Sequence, residues 1–170
     1  MATAYEAIAT VTVDSGGAAN ITFSSIPGTY TDLLVLLSAR SEGSDGDSFF
    51  TINANTGANY SYRRLTGDGS TATSDSATGS TAGYWAFIPR NSYTSNTFGN
   101  VSLYIPNYTS SNNKSFSVDG VSENNSTSTI SRLVAGLWSQ TSAITSLAFS
   151  TFGADLEQYS TATLYGIKNS

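Results

Sequence analysis

The sequence predicts an all-β protein, a single antiparallel β-sandwich domain of jelly-roll type over residues 1–170, with about ten short strands. Three observations carry that expectation. Apolar side chains recur at every second position in most segments, as a half-buried strand requires. No stretch sustains a 3.6-residue period, and the only helix candidates are single turns near Ile26–Tyr30 and Ser139–Ala143. Clusters of Gly, Pro, Asn, Asp and Ser punctuate the chain at roughly 8–15-residue intervals, the spacing of sandwich strands.

The first strand is expected over Tyr5–Val13, with Ile8 in phase with Thr10 and Thr12 and with Val11 and Val13 on the other face. Asp14-Ser-Gly-Gly17 reads as a tight turn whose glycines supply positive φ, and Asn20–Ser24 as a second strand completing a hairpin. After Pro27-Gly28, the run Leu33-Leu-Val-Leu-Leu-Ser-Ala-Arg40 is too short for a buried helix and reads as a central strand buried on both faces. Phe49–Ile52 and Tyr60–Leu65 follow. Residues 66–82 lack periodicity and large apolar side chains, and so read as a long surface loop.

Tyr84–Ile88 ends at Pro89. Thr97–Ile105 turns Val101, Leu103 and Ile105 inward, with a bulge or bend at Gly99. Lys114–Asp119 is the next strand, and polar Glu123–Ser128 a turn. Ser131–Gln140 places Leu133, Ala135 and Leu137 on one face, and Ile144–Ser150 is a further strand. The last, Ser160–Lys168, carries Ala162 and Leu164 on one face and Thr163, Tyr165 and Ile167 on the other. Bulky residues on both faces make it the strand around which the rest folds, paired on both sides. Each inward Leu, Ile, Val or Phe contributes about 1.5–3 kcal/mol on burial.

Composition narrows the function classes. With 39% hydrophobic residues the chain has a core to bury, so its Ser/Thr-rich polarity is not a signature of disorder. Charged residues are only 11% of the chain and the net charge is −5, with Arg63-Arg64 the one basic pair. Nucleic acid is therefore not an expected partner, because phosphate binding needs clustered cations. Cysteine and histidine are both absent, which removes disulfides, thiolate chemistry, the usual metal ligands and the usual general base. Met1–Glu6 has no basic leader region and no apolar run is long enough to span a bilayer, so the expectation is a soluble chain without a cleavable signal or membrane partner.

Several segments carry a family resemblance. They are Tyr5-Glu-Ala-Ile-Ala-Thr-Val-Thr-Val13, Ile26-Pro27, Thr29-Tyr-Thr-Asp-Leu33, Tyr104-Ile-Pro-Asn-Tyr108, Asn113-Lys-Ser-Phe-Ser117, Ala135-Gly-Leu-Trp-Ser139 and Ser160-Thr-Ala-Thr-Leu-Tyr-Gly-Ile-Lys168. From end to end the chain resembles a family of small β-rich virion proteins of tailed bacteriophages. The resemblance implies a virion structural protein on the head surface or in a tail or fibre appendage, made in the bacterial cytoplasm. A capsid decoration protein is the first expectation, bound to the major capsid protein or another virion protein as a symmetric homo-oligomer, a trimer on grounds of lattice symmetry. The second is a tail- or fibre-associated module that recognises host-surface carbohydrate. No shaft-like or coiled-coil segment is seen, which weighs against an autonomous fibre.

Chemistry-bearing residues are sparse. Glu42, Asp45 and Asp47 cluster among glycines and could offer oxygen ligands to a cation, though without the spacing of an EF-hand loop; a solvated acidic turn is the plainer reading. Asp119 with Glu123, or Asp155 with Glu157, would make a glycosidase pair only if held ~5–10 Å apart, and scattered acids give such pairs by chance. Serine nucleophiles would need Lys114 or Lys168 as base, and neither sits in a motif. No catalytic, cofactor or metal site is expected, and the protein is not read as an enzyme. Among the aromatics at strand ends (Tyr60, Tyr62, Tyr84, Trp85, Tyr93, Tyr104, Tyr108 and Tyr159), Trp85, Tyr104, Tyr108 and Tyr93 are the candidate contacts for a glycan or a partner. The alternative for all of them is strand propensity and an oligomer interface.

Overall fold

Alternating segments become strands here because two sheets stacked face to face can each bury one row of side chains and leave the other outside. The computed structural model describes residues 4–125 and 127–168. In chain order the elements are β1 (Ala4–Thr12), β2 (Ile21–Phe23), β3 (Asp32–Ala39), β4 (Asp47–Ile52), β5 (Tyr60–Gly67), β6 (Ala72–Ser80), β7 (Gly83–Phe87), β8 (Gly99–Ile105), β9 (Lys114–Glu123), β10 (Thr129–Trp138), β11 (Leu147–Thr151) and β12 (Thr161–Lys168). No helix occurs among the described residues.

The strands form an eight-stranded sheet, β1-β12-β3-β8-β9-β10-β5-β6, and a four-stranded sheet, β2-β11-β4-β7, with every pairing antiparallel. Within this order lies a jelly roll. β1, β12, β3 and β8 stand side by side in one sheet while their chain neighbours β2, β11, β4 and β7 stand in the same sequence in the other. Two hairpins interrupt the frame. β5–β6 is inserted between β4 and β7, β9–β10 between β8 and β11, and both extend the large sheet.

The core lies between the sheets. Leu33, Val35 and Leu37 of β3, Val101, Leu103 and Ile105 of β8, and Ala162 and Leu164 of β12 are buried on one side. Phe50, Trp85 and Phe149 meet them from the other, with Phe149 stacked on Phe50 at 5.9 Å and edge-on to Trp85 at 5.7 Å. Phe116 meets Phe50 edge-on at 5.0 Å and lies so close over Gly136 that a β-carbon there would collide with its ring. That contact requires glycine on β10.

Four expectations are corrected. β1 and β2 are not a hairpin: β1 pairs with β12 and β2 with β11, so the Asp14–Gly17 turn carries the chain from one sheet to the other. Its glycines do take positive φ, 103° at Gly16 and 74° at Gly17. Residues 66–82 are not a loop; β6 pairs with β5 through a turn closed by Asp68, whose carboxylate accepts from the Ser70 and Thr71 amides. Serine and threonine without apolar partners still form a strand when the neighbouring edge supplies the ladder. β3 is paired on both sides, but only one face is covered, and Leu36 remains 44% exposed. Two of the four aromatic contact candidates, Trp85 and Tyr108, are core residues.

Candidate docking face

Over the middle of the large sheet and its β5–β6 end the side chains that alternate outward are exposed or half-buried, whereas Asp32 and Ile167, paired at one end of β3 and β12, are buried. The ladder registers align the outward side chains in rungs. One runs Leu36, Ser102, Asp119, Leu133, Leu65, Ser74 across β3, β8, β9, β10, β5 and β6. The next runs Leu34, Tyr104, Ser117, Ala135, Arg63, Ser76. Over β8–β10 and the β5–β6 hairpin they line a trough of about 590 Å³. Leu65 and Leu133 lie directly opposite each other, 58% and 52% exposed. Serine hydroxyls surround these leucines, and among the described residues Arg63 and Asp119 are the only charged side chains at outward positions of the trough. Arg64 and Asp75 also border it, but alternation turns them to the other face, where they pair with each other.

Tyr104 is the aromatic among the residues that line the trough, 36% exposed. Its hydroxyl donates to Asp32 Oδ2 at 2.8 Å, while Asp32 Oδ1 accepts the Asn107 amide at 2.8 Å. The hydrogen bond to Asp32, reinforced by burial and by the carboxylate's charge, opposes ionisation of the phenol and pushes its pKa up to about 12. The ring is therefore pinned at the border of the trough, with its hydroxyl already used.

The other three contact candidates do not join it. Trp85 has no exposed surface, since β7 is buried along its whole length, and its indole N–H donates to the Ser150 carbonyl at 3.2 Å. Tyr108 is also fully buried: its hydroxyl donates to the Pro27 carbonyl and accepts the Tyr30 amide, tying two loops together. Tyr93 is half-buried in the loop that leads into β8, against Arg90 and Phe87, at the opposite end of β8 from Tyr104. That loop is clamped by buried Arg40, which donates to the carbonyls of Tyr93, Thr94 and Thr97 and pairs with Glu157.

The acidic turn does not assemble a cation site. Asp45 Oδ1 accepts the Asp47 amide at 2.9 Å, whereas the Asp47 carboxylate accepts from Arg132 at 2.7 Å and from the Tyr84 hydroxyl at 2.6 Å. Among the described residues no three metal-ligating side chains gather. Instead Asp47 belongs to a polar joint between the sheets. The Arg64 and Arg132 guanidiniums lie 4.4 and 5.3 Å from the Tyr84 ring centroid, and Arg132 also stands over Phe87 at 4.8 Å. Burial raises the Asp47 pKa, with Arg132 opposing, and burial lowers that of Arg132. Lys114 is a second structural cation, buried and donating to the Ser110, Asn112 and Thr141 carbonyls.

A smaller aromatic recess of about 520 Å³ lies beside residues 79–82, lined by Phe49, Tyr62 and the 63% exposed Phe152. Sequence reading missed both this recess and the leucines of the trough. The available signal was that β3 and β10 are apolar on both faces, more than a two-layer sandwich needs. No family model, curated protein or solved structure matches the chain.

Proposed function

We propose that this chain is a structural subunit of a bacteriophage virion, a capsid decoration protein that docks on the shell or a neighbouring virion protein through the outer face of its large sheet. The observation that carries the reading is that face: an open trough with the exposed pair Leu65 and Leu133 among serine hydroxyls, with Arg63 and Asp119 at its outward positions, of the kind that marks a protein contact. Leu36, Leu65 and Leu133 are 44%, 58% and 52% exposed, so covering each would contribute about half of the ~1.5–3 kcal/mol that full burial of such a side chain gives. Low charge elsewhere suits a subunit packed among neighbours, and jelly rolls are common in viral shells, which is support by fold analogy alone.

The carbohydrate-binding alternative loses support, because Trp85 and Tyr108 offer no ring to a sugar and the hydroxyl of Tyr104 is held by Asp32. Quantitative mass spectrometry of purified particles tests the proposal. A copy number comparable to that of the major shell protein is the expected result, and a few copies per particle would overturn the decoration role.

A further inference from the structure

A sandwich has four exposed sheet edges, each of which invites strand addition unless it is blunted. Three are blunted here. β7 is wholly buried, β2 is only three residues long, and β1 carries a register shift between Ala7 and Ala9. β6 is different. Its register shift with β5 lies at the far end, at Gly79, rather than in the middle as in β1; from Ala72 to Thr78 the pairing is regular, all but one of these residues are exposed, and the strand contains no Lys, Arg or Pro. Its single charge, Asp75, is neutralised within the chain by Arg64.

The turn fixes which backbone groups are unused. Asp68 N donates to Thr71 O, making that pair a hydrogen-bonded one. Strict alternation then gives the bonded partners of β5 as Thr73, Asp75 and Ala77, and leaves Ala72, Ser74, Ser76 and Thr78 with N–H and C=O pointing away from the sheet. Their side chains are small and uncharged.

We propose that β6 is a self-pairing edge, through which two copies of the chain join antiparallel about a twofold axis and fuse their large sheets into one. The occupant is a second copy because the edge carries no charge row or bulky pocket to select a different strand. It offers hydroxyl side chains that are matched by themselves, and Ser/Thr cross-strand pairs are favourable. Register follows from charge. An axis at Ser74 or Ser76 keeps the two Asp75–Arg64 pairs of the dimer apart and leaves most of the strand in the new ladder. Such an isologous contact closes at two subunits, unlike the threefold assembly expected from lattice symmetry, and it does not depend on the virion reading. A strand pair buries less than the roughly 1,200 Å² of a stable complex, so the dimer is weak and concentration-dependent.

Sedimentation velocity of the wild-type chain from micromolar to millimolar concentration, compared with Ser76→Pro and Ser76→Lys, tests the proposal. Both substitutions are tolerable in the monomer because the Ser76 N–H faces solvent. The expected result is a wild-type monomer–dimer equilibrium that both variants weaken by about tenfold or more. A wild-type chain that stays monomeric, or a dimer that both variants leave intact, overturns it. Amide hydrogen exchange on the wild type probes the same pairing without mutation. The amides of Ser74, Ser76 and Thr78 gain protection as concentration rises; if they exchange at the monomer rate throughout, the edge is not paired.

Discussion

The jelly-roll frame and the two inserted hairpins hold together in different ways. In the frame, β3, β8 and β12 are joined to β4, β7 and β11 by apolar packing around Phe50, Trp85 and Phe149. Along β5, β6 and the first half of β10, the large sheet meets only the margin of the small one, and there the packing is a polar joint, with Arg64 and Arg132 against Tyr84 of β7, Asp47 of β4 and Asp75. The difference shows what an insertion needs. A hairpin added to a sheet edge obtains its ladder from the neighbouring strand, but at the margin of the second sheet its inner face needs partners other than a full apolar layer. Here they are charged. The outer face of the same region is the part left open.

Substitutions that break one region and spare the other sharpen the comparison. The largest effect is expected in the frame: Trp85→Ala lowers global stability by about 3–5 kcal/mol, read as a shift in denaturant midpoint with unchanged slope. A loss below roughly one kcal/mol would mean that the indole is not a core residue. Asp47→Asn comes next. It leaves Arg132 half-buried without its carboxylate, an effect offset in part by relief of the desolvation that raises the Asp47 pKa, and costs about 1 kcal/mol. Exchange should accelerate first at the amides of β5 and the Thr129–Leu133 half of β10, ahead of β3 and β12; uniform acceleration would show that the joint does not act locally.

Tyr104 gives a pH test. Its folded pKa, about 12, lies above the ordinary value of 10, so its contribution is complete below pH 10 and is lost as pH rises through 12. Thus the stability difference between wild type and Tyr104→Phe holds steady to pH 10 and then shrinks. A difference that is flat across that window would contradict the Asp32 hydrogen bond. Asp47 has the same sign at lower pH. Burial raises the folded pKa of this acid, so its contribution is greatest below the ordinary carboxylate value and falls as pH rises through the raised one. The smallest effect is expected at Leu133→Ser, within about 0.5 kcal/mol of wild type, because this leucine touches solvent rather than core.

The frame is legible in the sequence and the extension only partly so. Period-two alternation in Val101–Ile105 and Ala162–Leu164 announces strands with one buried face, and both are found with that face in the core. β6 is hidden because a hydroxyl-rich segment exposed on both faces has no apolar period to read; its strand exists through the β5 ladder. The β1–β2 hairpin is absent for another reason. A glycine turn between alternating segments looks the same whether it closes a hairpin or crosses between sheets, and only the distant partners β12 and β11 decide. Trp85 and Tyr108 read as surface aromatics because strand-end position says nothing about which loops fold over a ring. The trough is invisible for want of a motif, since it is assembled from two or three residues on each of five strands.

The most direct test of the docking face is incorporation of a folded double variant, Leu65→Ser with Leu133→Ser, into particles in place of the wild-type chain. The wild type is expected to sediment with the particles, while the variant, equally stable in solution, remains in the supernatant. Incorporation of the variant at the wild-type level would contradict a docking role for the outer face of the large sheet.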